Sequence, residues 1–193
     1  MTSENDELAW AHAACLEHNG TNPAVFLESL FEMPECVAFG PMHHFLLGAS
    51  LLTCYSNALG GDKKALAANL DTLRTRSSAV PGAACALWGV CGAAVSAGMA
   101  YAIVAQNAPL KAEGWGEGQL MVSNIEQAIV AAGSPRCCKR DSRIAIDIAT
   151  KVFEHDFGVV FDHASRPEKP CIVASKNTVC LHDECPFFHG SAF

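Results

Sequence analysis

From Ala83 to Ala105 the chain reads AACALWGVCGAAVSAGMAYAIVA, without a charged residue. A stretch of that length either crosses a bilayer or lies inside a protein core. Its composition decides between the two. It is rich in Gly, Ala, Ser and Cys rather than Leu and Ile, and Pro81-Gly82 and Gly89 interrupt its start. No Lys or Arg lies close on either side to set an orientation across a membrane. The expectation is a central Gly/Ala-rich helix, packed on every side by other helices of a bundle.

The rest of the chain supplies those neighbours. Residues 5–18 place Leu8, Ala11, Cys15 and Leu16 at helical spacing before Asn19-Gly20. Asn22-Pro23 is a cap and first-turn pair for a helix over 23–33, with Phe26, Leu27, Leu30 and Phe31 on one face. A third helix starts near Pro41 and runs to Gly60-Gly61, and Asp62 caps a fourth over 63–76. The apolar helix follows from about Cys91 to Gln106. Stripes of Leu120, Val122, Ile125 and Ile129, then of Ile144, Ile148, Val152 and Phe153, mark helices over 117–132 and 139–156. Residues 157–170 read as irregular chain or a short strand, followed by a cysteine-rich tail. The expected fold is therefore all-α: one domain over 1–193, a bundle of about seven helices ending in an irregular tail.

Charge and composition remove several functions. Half of the 193 residues are apolar and the formal charge is −7. An acidic chain without an arginine-rich stretch is a poor partner for phosphate backbones or anionic membrane surfaces. There is no P-loop, HExxH, GxSxG or dinucleotide-binding fingerprint. The start, MTSENDELAW, lacks a basic segment followed by an apolar one, so a cytoplasmic location is expected.

Ten cysteines in such a chain call for an explanation. In a reducing compartment they are more often metal ligands or redox thiols than structural disulfides. Cys15 and Cys54 sit inside apolar helical patterns and read as core. The others form four groups. Cys36 precedes a helix in PECVAFGPMHH. Cys85 and Cys91 stand at the head of the apolar helix. Cys137-Cys138 stand at the head of another, among Arg136, Lys139 and Arg140. Cys171, Cys180 and Cys185 lie in the tail. Helix N-termini and nearby cations favour thiolates, which makes Cys137 and Cys138 candidate catalytic thiols. His43 and His44 are candidate ligands or proton donors, although neighbours on a helix point about 100° apart and are not expected to face one site.

In the tail, three thiolates converging on one metal or cluster is the preferred arrangement, with Cys91, Cys137, Cys138 or a histidine as fourth ligand. Zinc held by Cys180, His182, Cys185 and His189 is an alternative, but that spacing is uncommon in structural zinc sites. The Cys185-Pro186 step resembles the last cysteine of bacterial ferredoxin motifs, yet the chain contains no CxxC.

Four motifs, PMHHFLLGASLL, PGAACALWGVCGAAVSAGMAYAIV, GSPRCCKRDS and the tail from Cys171 to Phe188, stand in the order of an uncharacterised cysteine-rich family that they resemble. The resemblance covers about residues 34–188. It implies an α-helical domain of anaerobic bacteria and archaea, sometimes fused to methyltransferase-like domains. It also implies that Cys91, Cys137, Cys138, Cys171, Cys180 and Cys185 occupy the family's cysteine positions, and it implies no reaction.

The expectation is thus a metal-binding protein of anaerobic metabolism, holding an iron–sulfur cluster of the [4Fe–4S] type. Cys171, Cys180 and Cys185 would be ligands, completed by Cys91, Cys137 or Cys138. Its partners would be a small sulfur-containing or redox substrate, an electron-transfer or methyltransferase-like protein, or a second copy of the chain. The alternatives are a metal-free thiol enzyme using the Cys137-Cys138 pair, and a zinc-stabilised interaction domain.

Overall fold

The computed structural model describes residues 7–190. Eight α-helices follow in order: α1 Ala9–Glu17, α2 Pro23–Glu32, α3 His43–Ala58, α4 Lys63–Ser78, α5 Ala84–Leu87, α6 Gly92–Val104, α7 Trp115–Ala131 and α8 Cys138–Phe157. Two 3-10 turns, Ala174–Lys176 and His182–Glu184, are the only helical pieces after α8, and no strand forms among the described residues. The expected first helix began at Asn5; residues 1–6 lie outside the described residues. The helix that periodicity did not mark is α5, whose single turn is too short to show a period.

Local chemistry sets the boundaries. The Asn22 side chain accepts the Val25 N–H at 3.0 Å, and Pro23 occupies the first turn where no backbone donor is needed. Asp62 accepts the N–H groups of Lys64 and Ala65, each at 3.0 Å. At the far end of α8, Gly158 takes the left-handed conformation (φ 64°) that closes the helix.

The bundle is assembled around α3 and α6. From His43 to Cys54 every residue of α3 is buried, among α1, α2, α4, α6 and α8. The Gly/Ala-rich α6 packs against α3, α4, α7 and α8. Its small residues let neighbouring helices come close. A Cβ on Gly98 would lie 2.7 Å from Val122, and one on Gly48 of α3 would lie 3.0 Å from the Ser96 carbonyl. At that crossing the Gly48 N–H donates to Ser96 Oγ at 2.9 Å. Cys15 and Cys54 are fully buried in this core, and burial pushes the Cys15 thiol up to about 12. No helix among the described residues is long and apolar enough to cross a membrane.

α8 is fixed from its C-terminal half. Phe153 and Phe157 meet Tyr55 and Tyr101 in an aromatic cluster with ring centroids 4.9–6.0 Å apart, three pairs edge-on and Tyr101–Phe157 tilted. The Tyr101 hydroxyl donates to Asp156 at 2.8 Å. The N-terminal end of the same helix carries Cys138, with Cys137 just before it, so the aromatic anchor holds the cysteines in place from about four to five turns away.

Candidate functional site

The turn before α8 is held by a buried ion pair. Arg140 and Asp141 are each 2% exposed, with Arg140 Nε 3.1 Å from Asp141 Oδ1. Arg140 Nη2 donates to the carbonyls of Gly133 (2.7 Å) and Pro135 (3.0 Å), while Asp141 Oδ2 accepts the Cys137 N–H at 3.3 Å. A buried charge of either sign is costly unless its partners are complete, and here each supplies the other's. The result is a turn and helix start clamped as one unit.

From that unit the two adjacent cysteines enter different cavities. Cys137 lines a narrow one, ≈ 20 Å³, whose other sulfurs are those of Cys171, Cys180 and Cys185, and which Arg140 and Arg143 also border. Cys138 lines a second, ≈ 50 Å³, with Cys85, Cys91, His43, His44 and Ser142. The expected tail ligands therefore do share one space, and the helix-head cysteine that joins them is Cys137. Cys91 and Cys138 lie at the other cavity. All ten cysteines are free.

The tail is brought to α8 by side chains that spacing alone did not reveal. Arg143 forms a two-pronged bond to Glu28 of α2, both contacts at 2.7 Å. Its guanidinium and that of Arg166 lie 5.6 and 5.5 Å from the Phe187 ring. Phe188 packs edge-on to His182 at 5.3 Å, and the Cys171 N–H donates to the Gly190 carbonyl at 2.8 Å, which closes the tail into a loop.

Electrostatics differ from the sequence expectation at Cys137. A helix N-terminus flanked by cations was expected to lower its thiol pKa. Burial dominates instead and raises it, against the pull of the Arg140 and Lys139 backbone N–H groups. The basic run supplies less field than it suggests, because Arg140 is spent on the turn and Lys139 is buried elsewhere. Of that run, Arg136 reaches a thiol of the pair: its Nη1 donates to Cys138 Sγ at 3.3 Å.

The second cavity is a convergence of helix starts. His43 and His44 open α3, Cys91 precedes α6, Cys138 opens α8 and Ser142 follows one turn on. Both histidines line it, contrary to the expectation from their 100° separation. The cavity lies at the end of α3 rather than beside it, so residues around the axis can share it. His43 Nδ1 is 3.0 Å from the Gly40 carbonyl; since a carbonyl only accepts, the proton sits on Nδ1. That leaves a lone pair on Nε2, which is buried without a partner. Burial, with Lys139 adding to it, holds His43 down to about 3. Burial also lowers His44. Its ring lies against Gly92, where a Cβ would stand 2.1 Å from the imidazole. The Cys91 N–H is tied to Glu126 of α7 at 2.7 Å, and burial raises the Cys91 thiol to about 12.

Four thiols around one space, bordered by two arginines, form a donor set that fits a thiolate-bound metal or cluster. Among the described residues, no three His, Cys, Asp or Glu side chains stand close enough together to hold an ion as they are, so loading would draw the tail sulfurs inward or apart.

Fold and site together define a single-domain α-helical protein with two cysteine-lined cavities flanking one helix start. The chain belongs to the Family of unknown function (DUF5714), whose model matches residues 11–188. No curated protein and no solved structure matches it.

Proposed function

We propose that the chain is a metal-binding protein of redox or sulfur chemistry, with an iron–sulfur cluster held by Cys137, Cys171, Cys180 and Cys185. The observation that carries this reading is that these four cysteines, drawn from the head of α8 and the tail, line one cavity. A cluster bound by thiolates is anionic, and it would lie beside Arg140 and Arg143, whose charges are already shared with Asp141 and Glu28. Bound there, the group would accept and release single electrons, with a redox protein or a small sulfur-containing compound as partner. A cytoplasmic setting, where thiols stay reduced, suits such a site.

Two competitors have observations of their own. The cavity's ≈ 20 Å³ is room for about one water-sized guest, which favours a single ion such as zinc over a cluster. The contact of Arg136 with Cys138, in a cavity shared with Cys85 and Cys91, favours a thiol enzyme. In that case Cys138 would be the nucleophile, and the resolving thiol would come from α5 or the α6 head rather than from Cys137.

One preparation separates the three. Protein purified without oxygen and reconstituted with iron and sulfide should bind both and show the broad visible absorbance of sulfide-to-iron charge transfer. Cys171→Ser and Cys180→Ser should lose it. Stoichiometric zinc without sulfide would replace the cluster by the ion. Failure to retain any metal, with a fast-reacting Cys138, would leave the thiol enzyme.

A further inference from the structure

Lys139 is the one charged residue among the largest fully buried side chains, 1% exposed. It occupies the first turn of α8, where a cation meets the positive end of the helix dipole. Arg143, one turn on, adds like charge. No carboxylate among the described residues lies within ion-pair distance of its ammonium group. The nitrogen sits 4.0 Å from the centre of the Phe31 ring, and the acceptor it reaches is Cys36 Sγ, at 2.9 Å. Cys36 arrives from the segment before α3 and is half-buried, not sealed in the core. Its other polar contact, to the Val37 carbonyl at 3.7 Å, is weak. The pair borders neither of the two cysteine cavities.

The Phe31 ring face gives the charge one favourable contact, while the helix N-terminus and the loss of water oppose it. An apolar chain of the same length would fill the space over Phe31 without placing a charge at a helix N-terminus. What lysine adds is a nitrogen touching a sulfur, and that contact has a specific chemistry. Thiols oxidised to sulfenic acid condense with nearby nitrogen to sulfenamides, which shields them from further oxidation.

We propose that Cys36 and Lys139 form an oxidative modification site: a small peroxide converts Cys36 to its sulfenic acid, and Lys139 captures it as an S–N cross-link. In the first step the thiol sulfur attacks one peroxide oxygen. The O–O bond breaks, an S–O bond forms, sulfur gives up two electrons, and hydrogen peroxide leaves one water. In the second step the Lys139 amine attacks that sulfur. The N–S bond forms, the S–O bond breaks, and hydroxide departs with a proton from nitrogen as a second water. One peroxide is consumed for each link. Two equivalents of a small thiol reverse it, giving back the Cys36 thiol and the Lys139 amine and leaving a disulfide.

The link would join the segment before α3 to the first turn of α8, directly beside Cys138. It depends on nothing held in the tail cavity. The test uses the full chain, reduced and kept without oxygen, then given one equivalent of hydrogen peroxide, digested and examined by mass spectrometry. The expected product is a pair of peptides, carrying Cys36 and Lys139, joined with the loss of two hydrogens and released by dithiothreitol. Lys139→Arg keeps the cation over Phe31 but removes the primary amine. It should abolish the joined peptide and leave Cys36 to be trapped by dimedone as sulfenic acid or found as sulfinic acid. Wild-type protein in which Cys36 overoxidises as fast as in Lys139→Arg, or pairs with another cysteine while Lys139 stays free, would overturn the proposal.

Discussion

Cys137 and Cys138 share a peptide bond and little else. Cys137 turns toward a cavity made by the tail, bordered by arginines and three further thiols, in a region whose only regular elements are two 3-10 turns. Cys138 turns toward a cavity made by the starts of three long helices, with neutral imidazoles and an exposed guanidinium at its edge. The first is bordered by a segment without a long helix, held mainly by side-chain contacts of Arg143, Arg166, Phe187 and Phe188, so it gives more easily. The second is bordered by helices of the packed core, and it cannot adjust cheaply. Adjacent cysteines thus line two cavities of different stiffness, and the more adjustable one better suits the proposed metal.

The sharpest way to break that comparison is to exchange the two thiols for hydroxyls separately. Cys137→Ser should lose nearly all bound metal after reconstitution, and Cys138→Ser should keep it, both measured as metal per chain. Equal loss in the two variants would mean the cavities act as one site.

The next effect is on acid stability. His43 takes its proton near pH 6.5 in the unfolded chain but only near 3 when folded. The unfolded state therefore binds more protons in between, and stability present in full above about pH 6.5 is lost as pH falls toward 3. The loss from this group is about 5 kcal/mol over the whole window. His44 adds to it in the same direction. Asp141, whose carboxyl is raised by burial, acts oppositely. Urea unfolding of His43→Gln between pH 7.5 and 4 should show a clearly flatter pH dependence than wild type, and an unchanged slope would remove the buried neutral histidine from the account.

Stiffness itself is tested at Gly92. Adding a methyl there strikes the His44 ring at 2.1 Å, so Gly92→Ala should destabilise the fold by about 1–3 kcal/mol. Metal content at the tail cavity should be unchanged. The smallest effect belongs to Arg136. Its replacement by alanine should alter global stability by less than about 0.5 kcal/mol. It should nonetheless slow alkylation of Cys138 at neutral pH, while leaving that of Cys137 alone.

Much of the fold was legible in order and type. Asn22-Pro23, Asp62 and the apolar stripes gave helices whose observed ends fall close to those expected, because each is set by a local cap or period. The tail cysteines were legible as a group for the same reason, since they lie within one short segment. Their completion was not. Whether Cys137 or Cys138 faces the tail depends on how the turn before α8 is clamped, and that clamp is a buried Arg140–Asp141 pair. In sequence the pair looks like part of a charged, solvated run. The contact of Lys139 was not legible either, because its partner Cys36 is 103 residues away and no local pattern links them. A hint was present in Asp141 itself, an acid placed directly after the basic run at the point where a helix begins.

The clamp at the start of α8 also has a mechanical consequence. Arg140 fastens the carbonyls of Gly133 and Pro135 to the helix, and Asp141 fastens the Cys137 N–H. With those bonds in place, the backbone of Cys137 cannot shift without carrying that of Cys138. A guest in the tail cavity would therefore be met by movement of the tail rather than of the turn that carries both sulfurs. The short rigid turn works as a fixed post, against which the tail can close on Cys137 while the cavity at Cys138 keeps its shape.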